Sequence, residues 1–195
     1  CALPICEDEF QVRKERIDNT EEYWRAYHDE NVLLLGSADG RWQADEVAGG
    51  DFVAAQTSGR SLACGDLDND GDPDLIVTSC GTTARCYRND LAAGNWLLVK
   101  TETGAGGRDA IGARVILQFS DGSRRTACCL PQSSYLASSD SRVHFGLGAR
   151  TDLQSITVVW PDGPVDQCVE RFAAVPVNQQ IVIRRGTGQQ VEQKP

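Results

Sequence analysis

The sequence predicts an all-β chain, and three features carry that expectation. Apolar runs are short: Asn31 to Leu35 and Ser155 to Trp160 have strand lengths rather than helix lengths. Turn chemistry recurs between such runs, at Asp39-Gly40, Asp121-Gly122 and Pro161-Asp-Gly163. Through the second half, strands and turns alternate at the spacing expected of a compact antiparallel sandwich or barrel.

The elements follow in order. Residues 1–30 form a charged N-terminal segment that carries Phe10, Val12, Ile17, Tyr23, Trp24 and Tyr27. Thr20 is placed to cap a short helix over Glu21 to His28. A first β module is expected over 31–90. Asn31 to Leu35 is a strand, Ser37 to Gly40 a turn and Arg41 to Val47 the return, with Asp39-Gly40 as the hairpin signal. Gly49-Gly50 breaks the chain, and Ser61 to Cys64 leads into Gly65. Leu75 to Ser79 is a strand, Gly81 to Ala84 a turn, Arg85 to Arg88 its return and Asp90 to Gly94 a linker.

A second β domain is expected over 95–186. Its strands are Trp96 to Thr103, Ala113 to Phe119, Arg124 to Leu130, Val143 to Leu147, Ile156 to Trp160, Val165 to Phe172 and Gln180 to Arg184. The tail, 187–195, is polar and is expected to fray.

Composition narrows the function classes. The chain has 195 residues and a formal charge of −9, and a nucleic-acid partner would need a basic face to meet phosphates. An acidic balance fits cations or a well-solvated surface. No run approaches the ~18 apolar residues of a membrane span. The chain opens on Cys1 and contains no Met, so a processed product or a piece of a longer protein is expected.

Eight cysteines stand at positions 1, 6, 64, 80, 86, 128, 129 and 168. No C-x-x-C knuckle occurs, and His28 and His144 are remote from them in sequence, which disfavours zinc. Disulfides in an oxidising compartment are the expectation, with reduced buried thiols as the alternative. Cys80 and Cys86 flank a short turn, which suggests that they pair across it. Cys168 is expected to pair with Cys128 or Cys129.

One loop carries chemistry: Asp66-Leu-Asp-Asn-Asp-Gly-Asp-Pro-Asp74. Carboxylates at Asp66, Asp68, Asp70 and Asp74, with the backbone carbonyl of Asp72, can converge on one hard cation. Gly71 permits the sharp turn between them. Crowded carboxylates repel one another without a cation, and calcium takes six to eight oxygens in flexible geometry. An EF-hand would need a bidentate Glu at loop position 12, where this chain has Val77 in a strand-like run. The loop therefore joins strands.

The stretch from Gly59 to Asn89, with this loop, Leu75-Ile-Val and a hairpin ending Tyr87-Arg-Asn89, resembles an FG-GAP or VCBS blade of a β-propeller. Ser37-Ala-Asp-Gly-Arg-Trp42 is similar to the hairpin that ends a preceding blade. Further on, Asn95 to Lys100, Arg108 to Val115, Ser134-Tyr-Leu136, Val143 to Gly148 and Val158 to Gly163 resemble the ASPIC/UnbV domain, which follows a propeller in the cartilage acidic protein family and its bacterial relatives. The resemblance spans about 31–186. It implies about one and a half terminal blades followed by a small antiparallel β-sandwich, in a secreted, calcium-binding, non-catalytic protein. Upstream blades or neighbouring subunits would complete the ring.

The expected function is non-enzymatic: adhesion, matrix or surface assembly, with protein or glycan partners at a cell surface. A glycan-binding module or an accessory subunit of a larger secreted complex is the alternative, and exposed Trp24, Trp42, Trp96 or Trp160 would favour sugar stacking. His144, in Val143-His-Phe-Gly-Leu-Gly148, has no nucleophile partner in a known motif; the resemblance makes it a structural residue bonded to backbone within the sandwich. Gly104 to Gly107 lacks the Lys-Ser/Thr of a phosphate loop.

Overall fold

The computed structural model describes residues 24–37, 39–45, 49–90, 94–104, 106–132, 134–163 and 168–191. They are nearly all β and divide into two compact units. The first takes in residues up to 63 with 74–88 and 134–137; the second takes in 64–73, 89–133 and the chain from 138 onward. Residues 64–73, which include most of the acidic loop, therefore belong to the second unit rather than to the module over 31–90, and Asp74 at the loop's end belongs to the first.

In the first unit, Trp24 and Arg25 are helical. The helix expected to reach His28 stops earlier: Tyr27 N and His28 N bond to the carbonyls of Trp24 and Arg25, a tightened last turn, and β1 (Asp29–Glu30) begins at once. Thr20 to Tyr23 lie outside the described residues. β2 (Leu34–Gly36) and β3 (Trp42–Ala44) form the hairpin expected around Asp39-Gly40. The Gly49-Gly50 break opens a one-turn helix, α1 (Gly50–Ala54), and β4 (Gln56–Thr57) pairs with β1. β5 (Gly59–Gly65), β6 (Asp74–Ser79) and β7 (Arg85–Tyr87) make a three-stranded sheet. The described strands close no barrel or propeller ring.

The second unit holds all seven strands expected of it: β8 (Asn95–Glu102), β9 (Arg114–Phe119), β10 (Arg124–Cys128), β11 (Val143–Gly148), β12 (Leu153–Val159), β13 (Val169–Ala173) and β14 (Gln179–Arg184). With a further short strand, β15 (Gln189–Gln190), they form two sheets, ordered β11-β8-β14 and β10-β9-β12-β13-β15. Val115, Leu117 and Phe119 alternate into the core from β9, Val143, Phe145 and Leu147 from β11, and Ile156 and Val158 from β12. Trp160 is buried with them, as its place at a strand end suggested.

Three expectations change here. The unit is not wholly antiparallel, because β14 runs parallel to β8. The tail is ordered as far as Val191, since β15 pairs with β13; residues 192–195 lie outside the described residues. Buried Glu170 holds it there, accepting hydrogen bonds from Gly186 N, Gly188 N and the Gln190 amide.

The third change concerns the cysteines. Among the described residues, no disulfide joins Cys64, Cys80, Cys86, Cys128, Cys129 or Cys168. Strand register explains why the expected pairs do not form. Cys86 sits opposite Ile76, four residues along β6 from Cys80, or ~13 Å at strand rise, beyond the ~7 Å reach of a disulfide. Cys128 lies opposite Arg114 on β9, Arg114 opposite Val159 on β12, and Trp160 N bonds to Cys168 O. Three strand spacings, ~14 Å, thus separate Cys168 from Cys128 and Cys129. Cys1 and Cys6 lie outside the described residues.

Candidate metal centre

The acidic loop runs from the end of β5 to the start of β6. Two residues in the left-handed region, Asn69 at φ 61° and Gly71 at φ 102°, fold it back on itself. Asp66 and Asp74, at its two ends, are buried at 3% and 1% exposure, while Asp68 and Asp70 are exposed.

One carboxylate oxygen from each of Asp66, Asp68 and Asp74 lies within 4.8 Å of the others. Two oxygens facing one another across a calcium ion stand about 4.8 Å apart, since each Ca–O bond is about 2.4 Å. Asp66 Oδ2 accepts a hydrogen bond from Gly71 N at 3.1 Å, but its Oδ1 is buried with no hydrogen-bond partner among the described residues. A buried carboxylate oxygen left without a donor is costly, and a cation supplies what is missing. The donor set is all oxygen and suits a hard ion.

The Asp70 and Asp72 carboxylates lie outside that group. Asp70 Oδ1 accepts from Asp72 N at 2.9 Å, and both residues line an open depression with Asn95, Trp96 and Asn178. Of the four expected carboxylate ligands, the structure groups three.

The second unit holds this loop firmly. Arg142 is the hub. Its guanidinium donates to the Asp66 carbonyl at 2.6 Å, to Asn69 Oδ1 at 2.6 Å and to Gln180 Oε1 at 2.8 Å. Asp140, 2.6 Å away, balances its charge. His144 Nε2 lies 2.7 Å from the Gly71 carbonyl, so that nitrogen carries the proton. His144 was expected to bond backbone within the sandwich; the carbonyl it reaches belongs to the acidic loop instead. At the start of the loop, Asp140 N donates to the Cys64 carbonyl and Cys64 N to Ser139 Oγ.

His144, Leu98 and Gln180 occupy one rung across β11, β8 and β14. The loop touches the first residue directly and the third through Arg142, which places it over Leu98, itself only 2% exposed. Arg142 and His144 were missed as loop anchors. The available signal was alternation: Val143 and Phe145 point into the core, so the residues beside them face the other way.

Residues 103–190 match the ASPIC and UnbV family. The match covers most of the two-sheet unit and stops short of the acidic loop, so the finding concerns the sandwich alone. Across 125 residues, 61% of this chain, the sequence is 33% identical to cartilage acidic protein 1 of Mus musculus and 32% identical to its Homo sapiens counterpart. The aligned stretch spans about a fifth of those relatives, 19% and 18% of their lengths. The ASPIC and UnbV stretch includes His144, Trp160 and Glu170, but its first residue lies beyond Trp96. Among the described residues, no helix is long and apolar enough to cross a membrane.

Proposed function

We propose that this chain is a non-enzymatic, calcium-binding module of an extracellular protein that works in adhesion, matrix or surface assembly. One observation carries the reading: the partnerless, buried Oδ1 of Asp66, grouped with the carboxylates of Asp68 and Asp74. Those three residues would hold the ion, with Asp70 and the Asp72 carbonyl available from the same loop. The ion would neutralise the crowded charges and brace the loop. His144, engaged with the Gly71 carbonyl, serves the loop's position rather than acid–base chemistry.

Support for an extracellular setting comes from the acidic, cysteine-rich composition and from relatives named cartilage acidic protein 1. The β2–β3 hairpin and the β5-β6-β7 sheet with its loop are the parts that an FG-GAP or VCBS blade would use, and upstream blades or neighbouring subunits would supply its remaining strands.

The test uses terbium as a calcium stand-in. The Trp96 indole packs against Gly71, so excitation of tryptophan should light a terbium ion in the loop, and calcium should quench the signal by competition. Asp66→Asn and the double change Asp68→Ala, Asp70→Ala should abolish it. Chelation should lower the melting temperature by roughly 5–10 °C relative to calcium at about a hundred times its Kd. An unchanged melt together with no sensitised emission would sink the assignment.

A further inference from the structure

We propose that the outer face of the five-stranded sheet binds an acidic polysaccharide, held by Arg114, Arg124 and Arg171. Pairing and strand position together single these residues out in the second unit, since Arg108 is exposed and, among the described residues, unpaired but lies on no strand, and Arg125 donates to the Gly146 carbonyl. Lys100, Arg142, Arg150, Arg184 and Arg185 each sit on a carboxylate. Arg114, Arg124 and Arg171 are exposed and, among the described residues, make no side-chain hydrogen bond or ion pair. In a chain of net charge −9, unpaired arginines gathered on one face are the exception to the rule.

Register shows that they share that face. Residues opposite one another across an antiparallel ladder point the same way. Arg124 faces Gln118, which faces Ser155; Arg171 faces Thr157, which faces Ile116; Arg114 faces Val159. Ile156 and Val158, at the intervening positions of β12, point into the core, so these rungs point outward. No Asp or Glu occurs on them. From strand spacing and rise, the three arginine Cα atoms form a triangle with sides of roughly 12–16 Å. A depression of about 500 Å³ lies beside Arg171, lined in part by Gln118, Ser155 and Gln189.

The chemistry selects the occupant. Guanidinium groups bind sulfate and carboxylate oxygens through paired N–H donors. Between the arginines lie Ser155, Thr157, Thr126, Gln118 and Gln189, whose hydroxyls and amides match sugar hydroxyls. These rungs carry no aromatic residue to stack bases, which disfavours single-stranded nucleic acid. They also lack a large apolar anchor of the kind that dominates protein–protein interfaces. The arginine spacing exceeds one sugar ring and suits an extended chain with repeated charges.

The experiment measures binding of the full 195-residue chain, with calcium saturating throughout, to heparin, neutral dextran, poly-glutamate and a single-stranded oligonucleotide. Heparin should bind, and its affinity should fall roughly 20- to 40-fold between about 50 and about 200 mM salt, the counterion-release slope for three neutralised charges. The triple variant Arg114→Ser, Arg124→Ser, Arg171→Ser should lose at least about 10-fold at low salt. Arg108→Ser should bind like the parent. The single variants Arg124→Ser and Arg171→Ser, each weakening binding severalfold, carry the test should the triple variant not fold. Absent heparin binding, unchanged affinity in these variants, dextran binding equal to heparin, or tighter binding of poly-glutamate or the oligonucleotide would overturn the proposal.

Discussion

At Gly71 two constraints meet. Its φ of 102° is left-handed, and a Cβ there would overlap the Trp96 indole. Gly71→Ala should therefore destabilise the protein by about 2 kcal/mol or more. Gly40 has a φ of 80° but open space around it, so Gly40→Ala should cost only about 1 kcal/mol. Equal effects of the two in chemical denaturation would show that the indole does not pin the loop. The same neighbourhood shows what residues alone disclose. Asp66, Asp68 and Asp74 were legible because their type and spacing lie within nine positions. Arg142 and His144 reach the loop from more than seventy positions away, and no local pattern encodes that meeting. The cysteine pairings failed for a related reason: closeness in sequence says little until register is known.

Among the elements, the β9–β10 turn carries a pH-dependent clasp. The Arg150 guanidinium, helped by the Ser123 hydroxyl and amide, holds the Asp121 carboxyl down to about 2, and Arg150 with Ser120 lowers that of Asp152 further. Carboxylates with depressed folded values stabilise the fold above their ordinary value near ~3.9 and lose that contribution as pH falls. Stability should thus decline between about pH 4 and pH 2, and Arg150→Ala should flatten that limb in addition to its loss of the contact over Phe119. Retention of the full slope in the variant would exclude the clasp. At the other end of the unit, Glu170→Ala should free β15, exposing the amides of Gln190 and Val191 to fast hydrogen exchange while β9 and β12 stay protected. The strands of this unit were readable because apolar alternation is local. The direction of β14 was not, since a period of two is the same read either way. Nor was β15, two polar residues whose order depends on a carboxylate almost twenty positions earlier.

For the molecule as a whole, burial is uneven. Among the described residues, nearly all buried apolar side chains belong to the second unit; of the first unit's apolar side chains only Ala55 and Val77 are buried, while Leu34, Leu35 and Trp42 are exposed. Hydrogen exchange should follow that division, with amides of β8, β9 and β12 slowest and those of the β2–β3 hairpin faster by orders of magnitude. Uniform protection along the chain would contradict it. The parallel pairing of β8 with β14 has a further consequence, one for synthesis. Glu102 and its partner Arg184 are 82 residues apart, and β8 is the middle strand of its sheet. A ribosome therefore releases β8 long before its second neighbour exists, and the strand must wait with one edge unpaired. A nascent chain halted before residue 179 should be held by chaperones or aggregate, and one completed through 191 should fold in a slow, late step.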